Sequence, residues 1–139
     1  MQSEKGIRRV MSRQKRKGDG FERELAAYFN EEADINTAYR APLSGGGKVS
    51  SHGGADLIGV PDLFVEAKRV ERLNFMDAIK QAEKNSQETN SPETPIVINR
   101  RNRMTTEESL CVLRLKDFMK YYNAFLELTG RHKSKNSVA

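Results

Sequence analysis

The chain has little of what secreted, membrane-spanning or zinc-stabilised proteins need. It contains one cysteine, Cys111, so no disulfide can form within the chain, and two histidines without a second cysteine do not favour a structural zinc site. No apolar run approaches the roughly 20 residues that cross a bilayer, and no apolar signal segment follows the basic N-terminal stretch. We therefore expect a protein of the reducing cytoplasm, in a bacterial cell or a phage-infected host cell.

Charge is distributed unevenly over the 139 residues, which fit a single domain. We expect a basic flexible arm over 1–18, one folded domain over 19–130 and a disordered tail over 131–139. The arm holds seven lysines and arginines against one acidic residue, whereas the stretch between arm and tail is slightly acidic. Because clustered cations bind the phosphate backbone by releasing counterions, this distribution favours nucleic acid as a partner over a merely solubilising tail.

The apolar periodicity predicts an α/β fold in which helices flank a mixed central β-sheet. Asn74 is predicted to cap a helix, and Gly130 to end the last one. We expect five apolar side chains of that last helix to face the core: Phe118, Met119, Tyr122, Phe125 and Leu126. The predicted helices span 21–30, 75–84 and 116–128, and the predicted strands span 35–40, 55–59, 63–69, 96–101 and 110–115.

The strands over 55–59 and 63–69 are predicted to form a hairpin that carries charged residues. Alternation places Phe64, Glu66 and Lys68 on one face. A three-residue loop over 60–62 would put Asp56 opposite Glu66, where two carboxylates about 4.5–5.5 Å apart repel each other unless a cation compensates. Mg²⁺ accepts one or two carboxylates together with water and phosphate oxygens. Lys68 could then orient the attacking water or stabilise charge on the phosphate.

Three alternatives to this site stay open at the level of sequence. A loop of two or four residues would turn Asp56 to the face opposite Glu66. Asp62, in the dipeptide Pro61-Asp62, is a second candidate, although four extended residues separate it from Glu66 by about 13 Å. Glu66 and Lys68 could also be an ordinary exposed, salt-bridging strand face.

The order and spacing of these residues resemble the PD-(D/E)xK nuclease superfamily, whose motif is an aspartate, a variable gap and then Glu-x-Lys. Asp56 and the run Glu66-Ala67-Lys68 match it, although the motif's proline precedes Asp62 and not Asp56. Phe21-Glu22-Arg23-Glu24-Leu25 is similar to the first helix of archaeal-type Holliday junction resolvases and of related phage endonucleases. The resemblance extends from residue 17 to about residue 128.

This resemblance implies a restriction-endonuclease-like core, Mg²⁺ as cofactor with Mn²⁺ as a substitute, and hydrolysis of DNA by metal-activated water. It implies Asp56, Glu66, the Ala67 carbonyl and Glu22 as metal ligands, with Lys68 assisting the water. It also implies a homodimer acting on a four-way junction. The alternatives are a nuclease acting on forks, mismatches or linear duplex, and a non-catalytic basic DNA-binding protein.

Residues outside the motif are candidates for contact with DNA. The glycine-rich loop over 41–54 lacks the Ser/Thr and first glycine of a P-loop, so its glycines are interpreted as a flexible DNA-facing segment. Gln81 could approach the site from the second helix, or be a surface glutamine. The arginines after the fourth strand could bind the backbone, or form a solvated strand end. The expected DNA contacts are Lys15, Arg16, Lys17, Arg40, Ser44, Lys48, Arg69, Arg100 and Arg101.

Overall fold

The computed structural model describes residues 20–42, 54–131 and 133. The first helix, α1, covers 20–32 of the described residues. A 3-10 turn, Thr106–Glu108, precedes the last strand. The other elements are β1 (Tyr39–Arg40), β2 (Leu57–Ile58), β3 (Leu63–Lys68), α2 (Phe75–Glu88), β4 (Thr94–Asn99), β5 (Leu110–Val112) and α3 (Leu115–Leu128).

The strands form two small sheets. β1 and β2 pair antiparallel, and β3, β4 and β5 form a mixed sheet in which β3–β4 is parallel and β4–β5 is antiparallel. Parallel strands need a crossover connection, and α2 supplies it between β3 and β4. The predicted α/β class, with helices around a mixed sheet, is confirmed.

The two faces of the three-stranded sheet are covered by different helices. One face packs against α1 through Val65, Ile96 and Ile98, together with partly buried Leu63 and Ala67. The other face packs against α2 through Val97, which contacts Ala78, Ile79 and Ala82. The predicted alternation of β3 is therefore confirmed, since its odd-numbered residues join the α1 side and Glu66 contacts α2.

The predicted hairpin between β2 and β3 is wrong. β2 is only two residues long and pairs with β1, while β3 pairs with β4, whose first residue lies 31 positions after that of β3. The intervening turn is tight, because Leu63 N–H donates to the Val60 carbonyl at 3.2 Å and Asp62 has φ of 67°. The connection is thus a four-residue turn, and the predicted pairing of Asp56 with Glu66 does not form.

Gly59 explains how closely β2 approaches the segment before β1. Its φ is 76°, and a Cβ atom built there would lie 1.9 Å from the carbonyl oxygen of Thr37. The Thr37 hydroxyl donates to the Gly59 carbonyl at 2.6 Å. Only glycine combines this conformation with this contact.

Several element boundaries also differ from prediction. The strand expected over 35–40 is reduced to Tyr39–Arg40. β4 begins at Thr94 and includes Pro95. Proline is tolerated there because its nitrogen faces the β5 side of β4, and pairing with β5 begins only at Val97, so no ladder hydrogen bond is lost. The Asn74 cap is confirmed, since its side chain accepts from Asp77 N–H, and α2 continues four residues further than predicted.

The inward orientation predicted for the last helix is wrong for four of the five residues, and only Leu126 is partly buried. No residue of α3 is buried, and Phe118, Met119, Tyr122 and Phe125 are 47%, 39%, 41% and 50% exposed. Polar contacts hold α3 instead: Arg114 forms a two-pronged ion pair with Glu83, and others involve Lys120 and Tyr121. The predicted end at Gly130 is confirmed, with φ of 68°.

None of the described helices is both long enough and apolar enough to cross a bilayer.

Candidate functional site

Asp56 is fixed between the two sheets by its own main chain. Its N–H donates to the Val65 carbonyl at 2.8 Å, and its carbonyl accepts from Ala41 N–H at 2.9 Å. Its side chain is buried, and carboxylate oxygen Oδ2 accepts from Ala67 N–H at 2.7 Å. The carboxylate therefore lies at the edge of β3, beside the peptide that follows Glu66.

The backbone of Ala67 points toward the same edge. Thr94 N–H donates to the Asp62 carbonyl and Arg100 N–H to the Lys68 carbonyl, so even-numbered residues of β3 direct their backbone groups at β4. Alternation along the strand then directs the odd-numbered residues away from β4, as the Ala67–Asp56 bond confirms. The Ala67 carbonyl shares this direction, so it lies on the Asp56 side of β3.

Glu66 is the second buried carboxylate of this region, with 4% of its surface exposed. Its Oε1 accepts from the Asn85 amide at 3.2 Å, and the Asn85 carbonyl oxygen in turn accepts from the Gln81 amide at 2.9 Å. Gln81 and Asn85 lie one turn apart on the same face of α2. The Gln81 contact orients the Asn85 amide so that its nitrogen, and not its oxygen, meets Glu66.

The Glu66 carboxylate is buried beside a neutral hydrogen-bond donor. Within the described part of the chain no salt bridge reaches Glu66, and Asn85 is a neutral donor. An ionised carboxylate that is removed from water costs several kcal/mol of folding free energy unless an opposite charge compensates. Two buried carboxylates and a backbone carbonyl are hard oxygen donors of the kind that Mg²⁺ accepts, so the residues fit the predicted cation.

Lys68 and Asn99 end the same face of the sheet, side by side on β3 and β4. Lys68 is partly exposed, and no salt bridge involves it among the described residues. Asn99 is fully buried, and neither its side-chain nitrogen nor its oxygen has a hydrogen-bond partner in the described part of the chain. Buried amides without partners are rare, and such groups often belong to sites that bind water or ligand.

Glu22 lies on α1 and is partly buried. The described residues contain no group of three or more histidine, cysteine, aspartate or glutamate side chains that could hold a metal ion. The sequence prediction of three acidic ligands is therefore not observed as a cluster. The structure brings the Asp56 carboxylate to the Ala67 backbone, and Glu66 is the residue before Ala67 on β3.

Asp62, the competing aspartate, lies at the other end of β3. It is exposed in the turn, and its carboxylate accepts from the Tyr121 hydroxyl at 2.8 Å. Burial of the hydroxyl, reinforced by this carboxylate, raises the pKa of Tyr121. Asp62 thus connects the start of β3 to α3 and makes no described contact with Glu66.

The arginines proposed as DNA contacts are largely engaged within the protein. Arg100 forms an ion pair with Glu24, donates to the Met104 carbonyl at 2.7 Å and lies 5.9 Å from the centre of the Phe21 ring. Arg69 donates to the Arg100 carbonyl at 3.3 Å. For Arg100 the structure favours a role in joining α1 to the turn after β4, because its guanidinium is already occupied.

The remaining predicted DNA contacts divide into two groups. Arg40 in β1 and Arg101 after β4 are partly buried, with the Nε atom of Arg101 enclosed. The second group lies outside the described residues: Lys15, Arg16, Lys17, Ser44 and Lys48. The predicted arm over 1–18, most of the glycine-rich loop and most of the tail also lie outside the described residues.

Two residues of the site were missed by sequence reasoning. Asn85 and Asn99 are neutral amides and create no charge pattern, so only their contacts reveal them. A weak signal existed for Asn85, since it lies four residues after Gln81, which had been considered as an approach to the site.

Comparison with known proteins adds no family to this description. A scan against protein-family models returned no match, and searches of curated proteins and of solved structures returned no similar chain.

Proposed function

We propose that this chain is a metal-dependent DNA endonuclease with a restriction-endonuclease-like core, acting in the cytoplasm on the four-way DNA junction. The observations that carry the proposal are two buried carboxylates: Asp56, whose Oδ2 accepts from Ala67 N–H at 2.7 Å, and Glu66, the residue before Ala67 on β3. Burial of the Glu66 carboxylate, which forms no salt bridge among the described residues, costs folding free energy and is a feature expected of a functional site. The sequence resemblance supports the same three residues.

In this proposal Asp56, Glu66 and the Ala67 carbonyl hold Mg²⁺, or Mn²⁺ in its place. A divalent cation held there would activate water and neutralise charge on the scissile phosphate. Asn85, itself held by Gln81, orients the Glu66 carboxylate. Lys68 orients the water or stabilises the developing phosphate charge, since its ammonium is available at the open end of the strand.

DNA is the proposed partner because the cations of this sequence are concentrated outside the slightly acidic core. The arm supplies charge that binds any phosphate backbone without reading sequence. The resemblance implies a junction as substrate and a homodimer as the acting form, in which two sites meet two strands. We retain both as parts of the proposal.

The test compares two substrates of the same sequence. Purified full chain with Mg²⁺ is expected to cut a four-way junction faster than linear duplex, measured by release of an end-labelled strand. Equal rates on the two would reject the junction while keeping the nuclease. Binding of DNA without cleavage of junction, fork or duplex in Mg²⁺ or Mn²⁺ would favour the non-catalytic DNA-binding alternative.

A second experiment tests the choice of aspartate. Asp56→Asn removes a carboxylate beside Ala67, whereas Asp62→Asn alters a residue that contacts Tyr121. We expect the first variant to be inactive and the second to cut normally, with both binding junction DNA. The opposite result would assign the site to Asp62 and reject the arrangement described above.

A further inference from the structure

Asn99 ends β4 with an amide whose burial does not stabilise the fold. The residue is fully buried, and among the described residues neither its side-chain nitrogen nor its oxygen has a hydrogen-bond partner. A buried donor or acceptor without a partner costs folding free energy, and an apolar side chain of the same shape would avoid that cost. A role other than stability is therefore expected for this amide.

The Asn99 side chain lies on the face of the sheet that α2 covers. Val97, two residues earlier on β4, packs against Ala78 and Ile79 of α2. Strand alternation gives Asn99 the same direction. Its ladder neighbour on β5 is Leu110. These neighbours are all apolar, so their side chains offer the Asn99 amide no hydrogen bond.

The ladder neighbour on β3 is different, because it is Lys68. Lys68 shares the face of Glu66, two positions earlier on the same strand. It is partly exposed, and within the described part of the chain its ammonium takes part in no salt bridge. Adjacent strands are about 4.8 Å apart and the lysine stem is flexible, so rotation of the stem can bring the ammonium within hydrogen-bonding distance of the Asn99 oxygen.

We propose that Asn99 is a positioning residue for Lys68: its Oδ1 accepts one hydrogen bond from the Lys68 ammonium and holds that ammonium at the carboxyl end of β3. An ammonium has further donors, so one bond to Asn99 leaves the others for water or phosphate. Fixing a flexible lysine before the substrate arrives reduces the entropy that the reaction step must lose. This inference rests on the proposed nuclease function, in which Lys68 acts on water or phosphate.

An amide suits this task better than a carboxylate would. A carboxylate beside Lys68 would neutralise the ammonium, and it would repel both the Glu66 carboxylate on the same face and the DNA phosphate. The neutral oxygen of Asn99 directs the ammonium without removing its charge. The alternative, that Asn99 only fills the core, predicts that an apolar side chain of similar shape serves equally well.

The hydrogen bond is tested by a double-mutant cycle on stability, in the full chain with EDTA and without DNA. Lys68→Met removes the ammonium and keeps most of the stem, and Asn99→Leu removes the amide and keeps its shape. We expect the change in the unfolding equilibrium constant caused by Asn99→Leu to differ roughly fivefold or more with and without Lys68→Met. Urea unfolding measures it, and Asn99→Ala, which cannot overfill the core, provides a second cycle.

Arg101 supplies the matched control for this cycle. It follows Asn99 by two positions, and its Nε is also buried without a partner among the described residues. The same cycle with Arg101→Met in place of Lys68→Met should show no coupling to Asn99. Coupling to Arg101 and not to Lys68, or coupling to neither, would overturn the proposal.

The effect on the reaction is tested by the same cycle on cleavage of a four-way junction with Mg²⁺. Asn99→Leu alone should lower kcat about tenfold with KM unchanged, and it should cause no further loss in a chain that already carries Lys68→Met. An unchanged kcat, or an equal loss in both backgrounds, would overturn the positioning role. If the unmodified chain cuts no DNA, the proposed function fails, while the stability cycle still confirms or rejects the bond between Asn99 and Lys68.

Discussion

The carboxyl end of β3 and the outer face of α3 depart from the usual distribution of side chains in opposite directions. At the first, the carboxylates of Asp56 and Glu66 are buried, with exposures of 1% and 4%. At the second, aromatic and aliphatic side chains are exposed while arginine and tyrosine face inward. Both arrangements cost folding free energy in an isolated chain.

The difference between the two regions lies in what would compensate each cost. A buried carboxylate is stabilised by a cation, and an exposed apolar stripe is stabilised by another apolar surface. For the first region we propose a cation, as described above. Departures from local consistency are expected where a chain is selected for function, and the described residues contain at least these two.

The largest expected effect comes from neutralising the buried charge. Glu66→Gln keeps the shape of the side chain but removes the charge, so we expect the Mg²⁺-dependent cleavage rate to fall by about 10³-fold or more. The melting temperature should stay the same or rise, because a buried charge is lost. Normal cleavage with reduced stability would mean that Glu66 is a structural residue, and the comparison would fail.

A smaller effect on DNA binding should distinguish basic side chains that contact DNA from basic side chains that stabilise the fold. Replacing Lys15, Arg16 and Lys17 together by alanine should weaken DNA binding by roughly 50-fold at 0.2 M salt and lower the salt slope by about 2.7. Arg100→Ala should leave that slope unchanged and reduce stability by about 1–2 kcal/mol, since Glu24 and the Met104 carbonyl lose their partner. Titrations of labelled DNA at several salt concentrations measure the slope, and a reduced slope in Arg100→Ala would refute its structural role.

Replacing Asn99 should lower the cleavage rate by less than the preceding changes lower theirs, and should not reduce the stability of the fold. Asn99→Leu replaces a buried amide without described partners by an apolar side chain of similar shape, so we expect unchanged or higher stability. If the amide helps to position Lys68 beside it, the turnover rate should fall about tenfold with KM unchanged. Asn102→Ala, at an exposed turn residue, is the control. A destabilised Asn99→Leu variant with normal turnover would assign Asn99 to the fold.

The smallest effect concerns the polar inner side of α3. The side-chain hydrogen bond from Arg114 holds the pKa of Glu83 below its ordinary value. A lowered pKa stabilises the fold above the pKa of the unfolded chain, and this stabilisation is lost as the pH falls through the lower, folded value. Because the pair is partly exposed, its contribution is below about 1 kcal/mol. Glu83→Gln should flatten the acid side of the stability curve slightly; an identical curve would show that the pair contributes nothing.

Local patterns predicted much of the fold. The helical spacing of Phe21 and Leu25, the Asn74 cap, the alternation of β3 and the end at Gly130 are all confirmed. Each depends on residues a few positions apart. Local rules of spacing, capping and turn chemistry suffice for such features.

Features that depend on distant partners could not be predicted in the same way. β3 pairs with β4, and nothing within the motif shows that β2 would pair with β1 instead. The stripe on α3 was recognised as amphipathic, but spacing does not say whether its apolar side meets the same chain. Asp56 still reaches Ala67 although the predicted register is wrong, because its carboxylate bonds to the strand edge and not across a ladder.

Strand cleavage of a labelled four-way junction, followed with Mg²⁺ and again after chelation by EDTA, tests the central claim most directly. The account predicts cleavage by the purified chain that requires the cation and resumes when Mg²⁺ or Mn²⁺ is restored. Cleavage that continues in EDTA, or no cleavage of any DNA structure with either cation, would contradict it.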